Sequence, residues 1–273
     1  MLSSLRWRVY GPVSRNNGPM EPADFYTDLV AELYEPLRGS TPDPDEYAAL
    51  VERFGQPALE LGCGGGDPLI ALRLRGLDVE GVDSSADMLE RCRAAAAAAG
   101  VDVVVHHQRM EDLDLDETYP FIFLAGPTFN LLPDDDTALR ALRAIRAHLE
   151  PGGIALVPLF EPEAAAPGTL GVARTGSDDG GAPISVTFVD QERDAESRIQ
   201  RSTLRYERRR QGGEPEVLER VWTLHWYTQR RFRDLAAEAG LEVEAVLDQT
   251  GEPAVPEEMD VSFVLRAADE PGV

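Results

Sequence analysis

A glycine-rich stretch and an acidic residue that follows it are the parts of this sequence best suited to chemistry. Residues 59–67 read LELGCGGGD, and Asp83 follows Gly62 by 21 positions. Glycines let a chain turn tightly from strand to helix, and they let a ligand approach the backbone where a Cβ would collide. A carboxylate at the end of the next strand can accept hydrogen bonds from both hydroxyls of a ribose. The spacing therefore indicates a site for a nucleoside.

The residues around the glycines argue against a bound pyrophosphate. Asp67 stands where the dinucleotide-binding pattern G-x-G-x-x-G has its third glycine. A pyrophosphate needs free N–H groups and positive potential, which an acid at the start of a helix opposes. Together with Glu60, which precedes the glycines, the pattern predicts a nucleoside ligand without phosphates. The alternative is that the glycines only form a tight turn and that Asp83 only caps the helix starting at Ser84.

Strands and helices must position these residues, and the hydrophobic pattern predicts both. Short apolar runs predict seven strands, at residues 58–61, 77–83, 101–106, 120–125, 153–160, 241–247 and 261–265. Apolar stripes at helical spacing predict helices at residues 23–37, 43–54, 67–75, 84–99, 134–149 and 228–239. Strands that alternate with helices form parallel sheets covered on both faces. We therefore predict an α/β fold with a doubly wound, seven-stranded, mostly parallel sheet.

A second pattern interrupts this alternation between the fifth predicted strand and the last predicted helix. Ile184, Val186 and Phe188 alternate with other residues, and a second alternating run follows a turn at residues 211–214. We expect an inserted antiparallel β meander here, preceded by a mobile loop at residues 162–181. The expected organisation is a flexible lead-in at 1–22, a core formed by 23–161 and 228–267, and an inserted unit at 162–227.

Composition narrows the range of partners. The chain has 273 residues, with 49 Asp and Glu against 26 Lys and Arg, which gives a net charge of −23. A field of this sign repels nucleic acid, so we expect no DNA or RNA partner. The two cysteines, Cys63 and Cys92, are too few for a disulfide framework and favour a reducing cytoplasm. No apolar run reaches the roughly 18 residues of a membrane span. We expect a cytoplasmic monomer or homodimer without a membrane partner or a metal.

Four motifs carry a resemblance to a known family. LELGCGGGD, GVDSSADML, RMEDL and LEPGG occur in this order, and together they resemble the class I S-adenosylmethionine-dependent methyltransferases. The inserted meander is similar to that of small-molecule members, such as the glycine and amino-sugar N-methyltransferases, whose insertion covers the acceptor pocket. The resemblance implies a Rossmann-like methyltransferase fold. It also implies an enzyme that moves a methyl group from S-adenosyl-L-methionine to nitrogen or oxygen of a small-molecule acceptor.

The resemblance also implies which residues hold the cofactor. The loop contacts the methionine part, Asp83 the ribose, and residues after the second and third strands the adenine. The full set is Glu60, Gly62, Cys63, Gly64, Gly66, Asp83, Ser84, Met88, Met110, Glu111 and Ala125. One position departs from the family pattern, because Arg109 stands where an acid often accepts a hydrogen bond from the adenine amine. Glu111 is the candidate to replace that acid.

Catalytic residues are harder to identify, because methyl transfer from a sulfonium is an in-line displacement that depends chiefly on positioning the acceptor. An amine acceptor must be neutral, so a base can assist. Our catalytic candidates are His225 and Tyr34, although a lone histidine in a strand also has structural uses. We expect the acceptor to contact Tyr47, Thr128, Asn130 and Trp226. A structural role is the alternative for Tyr47, in the apolar stripe of its helix, and for Thr128 and Asn130, in a loop.

Two other classes of protein remain open at this point. A nicotinamide-dependent oxidoreductase on a Rossmann-like sheet would need the pyrophosphate glycine that Asp67 replaces. A non-catalytic binding module could retain the fold without turnover. The intact glycine loop and Asp83 favour an enzyme over such a module.

Overall fold

Two β-sheets organise residues 21–39 and 41–268, the part of the chain that the computed structural model describes. The strands of the larger sheet are β1 Ala58–Leu61, β2 Val79–Asp83, β3 Val104–His107, β4 Tyr119–Phe123, β5 Leu149–Leu159, β10 Leu241–Leu247 and β11 Val261–Ala267. The strands of the smaller sheet are β6 Ala173–Ser177, β7 Pro183–Asp194, β8 Ile199–Arg208 and β9 Glu216–His225. The helices are α1 Asp28–Leu37, α2 Pro44–Phe54, α3 Leu69–Leu74, α4 Ala86–Ala99, α5 Asp135–His148 and α6 Gln229–Glu238.

The larger sheet is doubly wound. Its strand order is β10-β11-β5-β4-β1-β2-β3. The pairs from β5 to β3 are parallel, and β11 is antiparallel to both of its neighbours. The chain runs outward from β1 through β2 to β3 and then returns to β4 on the other side of β1. Such a reversal opens a crevice at the carboxyl ends of β1 and β4, where ligands bind in sheets of this kind. The predicted fold class is confirmed.

Helices cover both faces of this sheet, which explains why its central strands are largely apolar. Leu59 and Ile122 pack on one face against α5 and α6, and both are fully buried. Ala58, Phe121 and Phe123 pack on the other face against α2, α3 and α4. Successive residues of a strand point to opposite faces, so a strand covered on both sides shows no regular alternation of polar and apolar residues. This packing holds the ends of β1 and β2 rigidly beside the crevice.

Helix α4 begins directly after β2 because its first turn is capped. The Ser85 hydroxyl accepts a hydrogen bond from the Met88 N–H at 3.2 Å, as an N-cap residue does. Gly100 ends the helix in the left-handed conformation, with φ of 73°. The cap leaves Asp83 at the end of β2 and Ser84 in the short connection to α4, and both residues line the crevice.

The smaller sheet packs against α1. Its strand order is β6-β7-β8-β9, with every pair antiparallel. Apolar side chains of α1, including Leu33 and Leu37, pack with residues of β7, β8 and β9. Ion pairs reinforce the contact, because Arg220 of β9 binds the Asp28 carboxylate at 2.8 Å and Arg208 of β8 pairs with Glu32. The N-terminal helix is thereby attached to the inserted sheet.

Three details differ from the sequence expectations or lie outside the described residues. Strand β6 lies inside the segment expected to be a loop. All its residues but Gly176 are exposed, so it shows no alternating apolar pattern from which an edge strand could be recognised. Helix α1 begins at Asp28 rather than near residue 23, after a 3-10 turn at Pro22–Asp24. The expected flexible lead-in lies outside the described residues, except for Glu21 and Pro22.

Candidate functional site

A cavity of about 1170 Å³ lies at the carboxyl ends of the central strands. The glycine loop (residues 62–66) and the end of β2 contribute to one part of its wall. Helix α1 and the inner face of the smaller sheet, including Tyr206 and Trp222, contribute to another. Its volume is somewhat above the roughly 300–1,000 Å³ of pockets that hold one small-molecule ligand. The cavity joins the predicted nucleoside site to the space below the inserted sheet.

The glycine loop has a backbone that only glycine adopts without strain. Gly62, Gly64 and Gly66 have φ angles of 75°, 51° and 100°. A Cβ on Gly62 would lie 2.6 Å from Cγ2 of Thr128, and one on Gly66 would lie 2.7 Å from Cδ1 of Ile70. The first two backbone N–H groups of the loop both donate hydrogen bonds to one carbonyl near the end of β2, that of Val82. Close approach and left-handed backbone together explain why glycines occupy these positions.

Asp83 links β2 to the glycine loop. Its two carboxylate oxygens accept hydrogen bonds from the N–H of Gly64 and the N–H of Ser85, each at 2.8 Å. Burial raises the pKa of this carboxyl, and the same two hydrogen bonds act in the opposite direction. Each carboxylate oxygen has a second lone pair, so Asp83 can accept two further bonds from a ligand in the cavity.

Glu60 is the most unusual polar residue at the cavity. It is fully buried at the end of β1, and it lines the cavity. Neither carboxylate oxygen makes a hydrogen bond of normal geometry to a described residue, although the Leu69 N–H lies close enough to act against the rise in pKa. Burial raises the pKa of Glu60 well above its usual value. Because buried polar groups are almost always paired, this carboxyl is suited to a cationic or hydrogen-bond-donating ligand group.

The structure brings most of the expected cofactor residues together. The following line the cavity: Glu60, Gly62, Cys63, Gly64, Asp83, Ser84, Met88, Met110, Glu111 and Ala125. Gly66 does not, because it turns behind the loop, where a Cβ would lie 2.8 Å from the Cys92 sulfur. Its contribution is to the shape of the loop.

Arg109, the departure from the family pattern, has partners on the segment before α1. Its guanidinium pairs with Glu21 and lies 3.5 Å from a carboxylate oxygen of Asp24. Arg109 lines the cavity beside Glu111. The arginine therefore connects the loop after β3 to the N-terminal segment, and Glu111 remains as the carboxylate on this side of the cavity.

Helix α1 is connected to the glycine loop by a further ion pair. The Arg38 guanidinium lies 2.5 Å from a carboxylate oxygen of Asp67 and 3.1 Å from one of Glu35. The Ser84 hydroxyl donates to the carbonyl of Ala23 at 3.1 Å. Asp67 thus has an ion-pair partner at the start of α3, and the N-terminal segment closes one side of the cavity.

The two catalytic candidates have different locations. Tyr34 lines the cavity, and burial raises the pKa of its phenol. His225 does not line the cavity; it is 2% exposed, and its Nε2 lies 3.5 Å from Oδ1 of Asp135. Burial and the nearby Arg198 lower the pKa of His225 to about 4. The imidazole is therefore neutral but directed away from the ligand space, and we assign it no part in proton transfer.

We expect His225 to affect stability rather than turnover. The folded state excludes a proton from His225 down to about pH 4, whereas the unfolded state binds one below about pH 6.5, so the free energy of unfolding falls on acidification. Between pH 7.5 and 5.5 this histidine should account for about 1 kcal/mol of that fall. Denaturant titrations at both pH values should show a smaller fall for His225→Gln. A large loss of turnover with unchanged stability would contradict this assignment.

Of the four expected acceptor contacts, only Thr128 lines the cavity. Asn130 is fully buried, and its amide donates to the carbonyls of Phe160 and His225 at 3.0 and 2.8 Å. Tyr47 stacks on Phe123 with ring centroids 5.4 Å apart. Trp226 is covered by the guanidinium of Arg193, 4.0 Å from the ring centroid. In this structure the last three connect elements of the fold.

Several cavity residues were not identified from the sequence as site residues. They are Tyr26, Arg38, Arg174, Tyr206 and Trp222. The alternating pattern of β9 was a usable signal for Trp222, which stands on the inward face with Leu224. The others come from α1, its flanking segments and two strands of the inserted sheet, and their proximity depends on how that sheet packs against α1.

Within residues 21–39 and 41–268, no group of three or more His, Cys, Asp or Glu side chains is arranged to hold a metal ion. None of the helices described there is long and apolar enough to cross a membrane.

Comparison with known proteins identifies relatives of the larger sheet. Residues 58–153 match the family model described as a methyltransferase domain. The chain is 32% identical over 138 residues to the cypemycin N-terminal methyltransferase of a Streptomyces species. This match covers 50% of this chain and 53% of that protein. It is 32% identical over 156 residues to the dTDP-3-amino-3,6-dideoxy-alpha-D-glucopyranose N,N-dimethyltransferase of Streptomyces fradiae, covering 54% of this chain and 60% of that protein. The matches span little more than half the length of these relatives.

A solved structure is similar over a longer part of the chain. The CcbJ methyltransferase from Streptomyces caelestis has 26% sequence identity to this chain and a TM-score of 0.71, covering 90% of this chain and 99% of that one. The structural similarity therefore extends beyond the sheet that carries the glycine loop. It includes most of the inserted sheet and of the N-terminal helices.

Proposed function

We propose that this protein transfers a methyl group from S-adenosylmethionine to nitrogen or oxygen of a small molecule, because residues 58–153 match the family model of a methyltransferase domain. The observation that carries the proposal is the joint presence of the glycine loop, Asp83 and the unpartnered Glu60 around one cavity. The N-methyltransferases among the relatives make an amine the first acceptor to test.

The residues present fit this cofactor. The Glu60 carboxyl lacks a partner, and an amino group would supply one. Asp83 has unused lone pairs that a ribose diol could use, and the glycine loop lines the same cavity. When bound, S-adenosylmethionine supplies an activated methyl group on a sulfonium.

The chain's own contribution to catalysis is to position the acceptor and to exclude water. An acceptor lone pair has to be held about 3–3.5 Å from the methyl carbon, and such positioning can lower the barrier by roughly 7–11 kcal/mol. Tyr34 and Thr128 line the cavity near the glycine loop and are our candidates for orienting the acceptor. The Arg38–Asp67 ion pair helps to close α1 over the site, which keeps water from the reacting atoms.

We also infer how the parts of the chain divide this work. Residues 23–161 and 228–267 are proposed as the core that holds the cofactor, and residues 162–227 as the unit that covers the acceptor. The support for this is the cavity wall, to which both parts contribute. The free, buried thiols of Cys63 and Cys92 are consistent with a reducing compartment, so we propose that the reaction takes place in the cytoplasm.

Two measurements test the proposed function. Calorimetric titration with S-adenosylhomocysteine should give a 1:1 complex, whereas NADH should give no heat. Incubation with S-adenosylmethionine and a panel of amino sugars, peptides with free N-termini and alcohols should release S-adenosylhomocysteine and add one methyl group to an acceptor. Binding of NADH without S-adenosylhomocysteine would refute the proposal in favour of an oxidoreductase.

A further inference from the structure

The cavity has four arginines, and one of them differs from the rest. Three of them form ion pairs with carboxylates. The pairs of Arg38 and Arg109 are described above, and Arg140 lies 3.3 Å from a carboxylate oxygen of Asp112. Arg174 of β6 has no carboxylate within that distance among the described residues. Its Nη1 donates to the backbone carbonyl of Leu37 at 2.9 Å. That bond anchors the guanidinium at the end of α1 and leaves other N–H groups for a ligand.

A tyrosine stands in the same row of the sheet as Arg174. Arg174 pairs with Val186 across β6 and β7, and Val186 pairs with Tyr206 across β7 and β8. Directly opposed residues in antiparallel strands share a face, and all three residues line the cavity. Tyr206 is 7% exposed, and its hydroxyl makes no hydrogen bond to any described residue. The row therefore presents a guanidinium and a phenol hydroxyl with an apolar side chain between them.

Charge and burial indicate what this row would bind. Burial and the nearby Tyr34 raise the pKa of the Tyr206 phenol, while Arg174 acts to lower it, so the phenol keeps its proton and can donate a hydrogen bond. A guanidinium matches the geometry of carboxylate and phosphate groups, and a phenol hydroxyl adds a second donor. Val186, Leu204 and Tyr206 are buried, which strengthens the contact made by the phenol, whereas Arg174 lies on the exposed edge strand.

We propose that Arg174 and Tyr206 bind an acidic group, a carboxylate or a phosphate, on the methyl acceptor. This inference rests on the proposed function, because it assigns the acceptor end of the same cavity. An acid held on the inserted sheet would direct the rest of the acceptor toward the glycine loop. The acceptor class is then an amine or alcohol that also carries an anionic group.

The test uses small aromatic probes on the full chain saturated with S-adenosylhomocysteine. Benzoate, phenyl phosphate and neutral benzyl alcohol are titrated, and their dissociation constants are measured by ligand-observed NMR. We expect at least one anion to bind about tenfold more tightly than benzyl alcohol. A preference for benzoate would identify a carboxylate-bearing acceptor, and a preference for phenyl phosphate a phosphorylated one.

Variants then test whether Arg174 and Tyr206 cause the preference for the anionic probe. Arg174→Gln should abolish it, and Tyr206→Phe should reduce it about threefold, because the guanidinium supplies the charge and the phenol a single neutral donor. Arg201→Gln is the matched control, since Arg201 is an exposed residue of the same strand as Tyr206 and does not line the cavity. An unchanged preference in Arg174→Gln, or no preference in the wild type, would overturn the inference.

Calorimetry separates this outcome from failure of the proposed function. If S-adenosylhomocysteine binds the wild type and all three variants equally but the anions show no preference, only the acceptor assignment is wrong. If S-adenosylhomocysteine does not bind the wild type, the proposed function fails, and the anion titrations are read on the free protein.

Discussion

Replacing Asp83 with alanine is expected to weaken binding of S-adenosylhomocysteine by about 100-fold. The carboxylate has lone pairs for two ribose hydroxyls, and charge-assisted hydrogen bonds contribute about 1.5–3 kcal/mol each. Asp83→Asn keeps one acceptor oxygen and should lose about tenfold. The measurement is calorimetric titration of the purified proteins at constant salt.

The control variant replaces a carboxylate that stands next to the opposite end of β2. Asp78 precedes β2, pairs with Arg73 at 2.5 Å and does not line the cavity. Asp78→Ala should bind S-adenosylhomocysteine as the wild type does. The Asp83 side chain also accepts bonds from Gly64 and Ser85, so melting temperatures without ligand show how much of the effect comes from the loop. Equal affinity of Asp83→Ala and the wild type would refute the ribose assignment.

Glu60→Gln is expected to change stability and affinity in opposite directions. A buried carboxyl without partners destabilises the free protein at neutral pH, because folding must either bury its charge or bind a proton, and a neutral amide avoids both costs. The melting temperature of the free variant should therefore rise by about 2–5 °C. Its affinity for S-adenosylmethionine should fall by about 10- to 100-fold, because the charged partner of the amino group is lost.

The pH dependence of this residue provides an independent check. Because burial raises the pKa of Glu60, the folded protein keeps a proton that the unfolded chain releases, and the free energy of unfolding decreases as pH rises above about 4.5. Binding of the cofactor's amino group should expel that proton. The binding enthalpy of the wild type should then depend on the ionisation enthalpy of the buffer, and that of Glu60→Gln should not.

Glu52→Gln, on the exposed side of α2, is the control and should behave as the wild type. Loss of stability in Glu60→Gln with unchanged affinity would contradict the assignment.

The sequence alone determined the architecture of the core, because local patterns encode it. Strands buried on both faces read as apolar runs, helices as stripes, and the glycine loop and Asp83 come from neighbouring strands whose carboxyl ends meet at one edge. The positions of Glu60, Gly62 and Asp83 around one cavity follow from that local order.

Only the tertiary structure decided which residues of the inserted sheet and of α1 face the ligand. His225 and Trp222 lie three residues apart in β9, yet Trp222 faces the cavity and His225 packs beside Asp135. Strand alternation predicts two faces but not which of them is covered by α1. Arg174 and Tyr206 come together only through strand pairing over more than 30 residues of chain, and no local periodicity records such a contact.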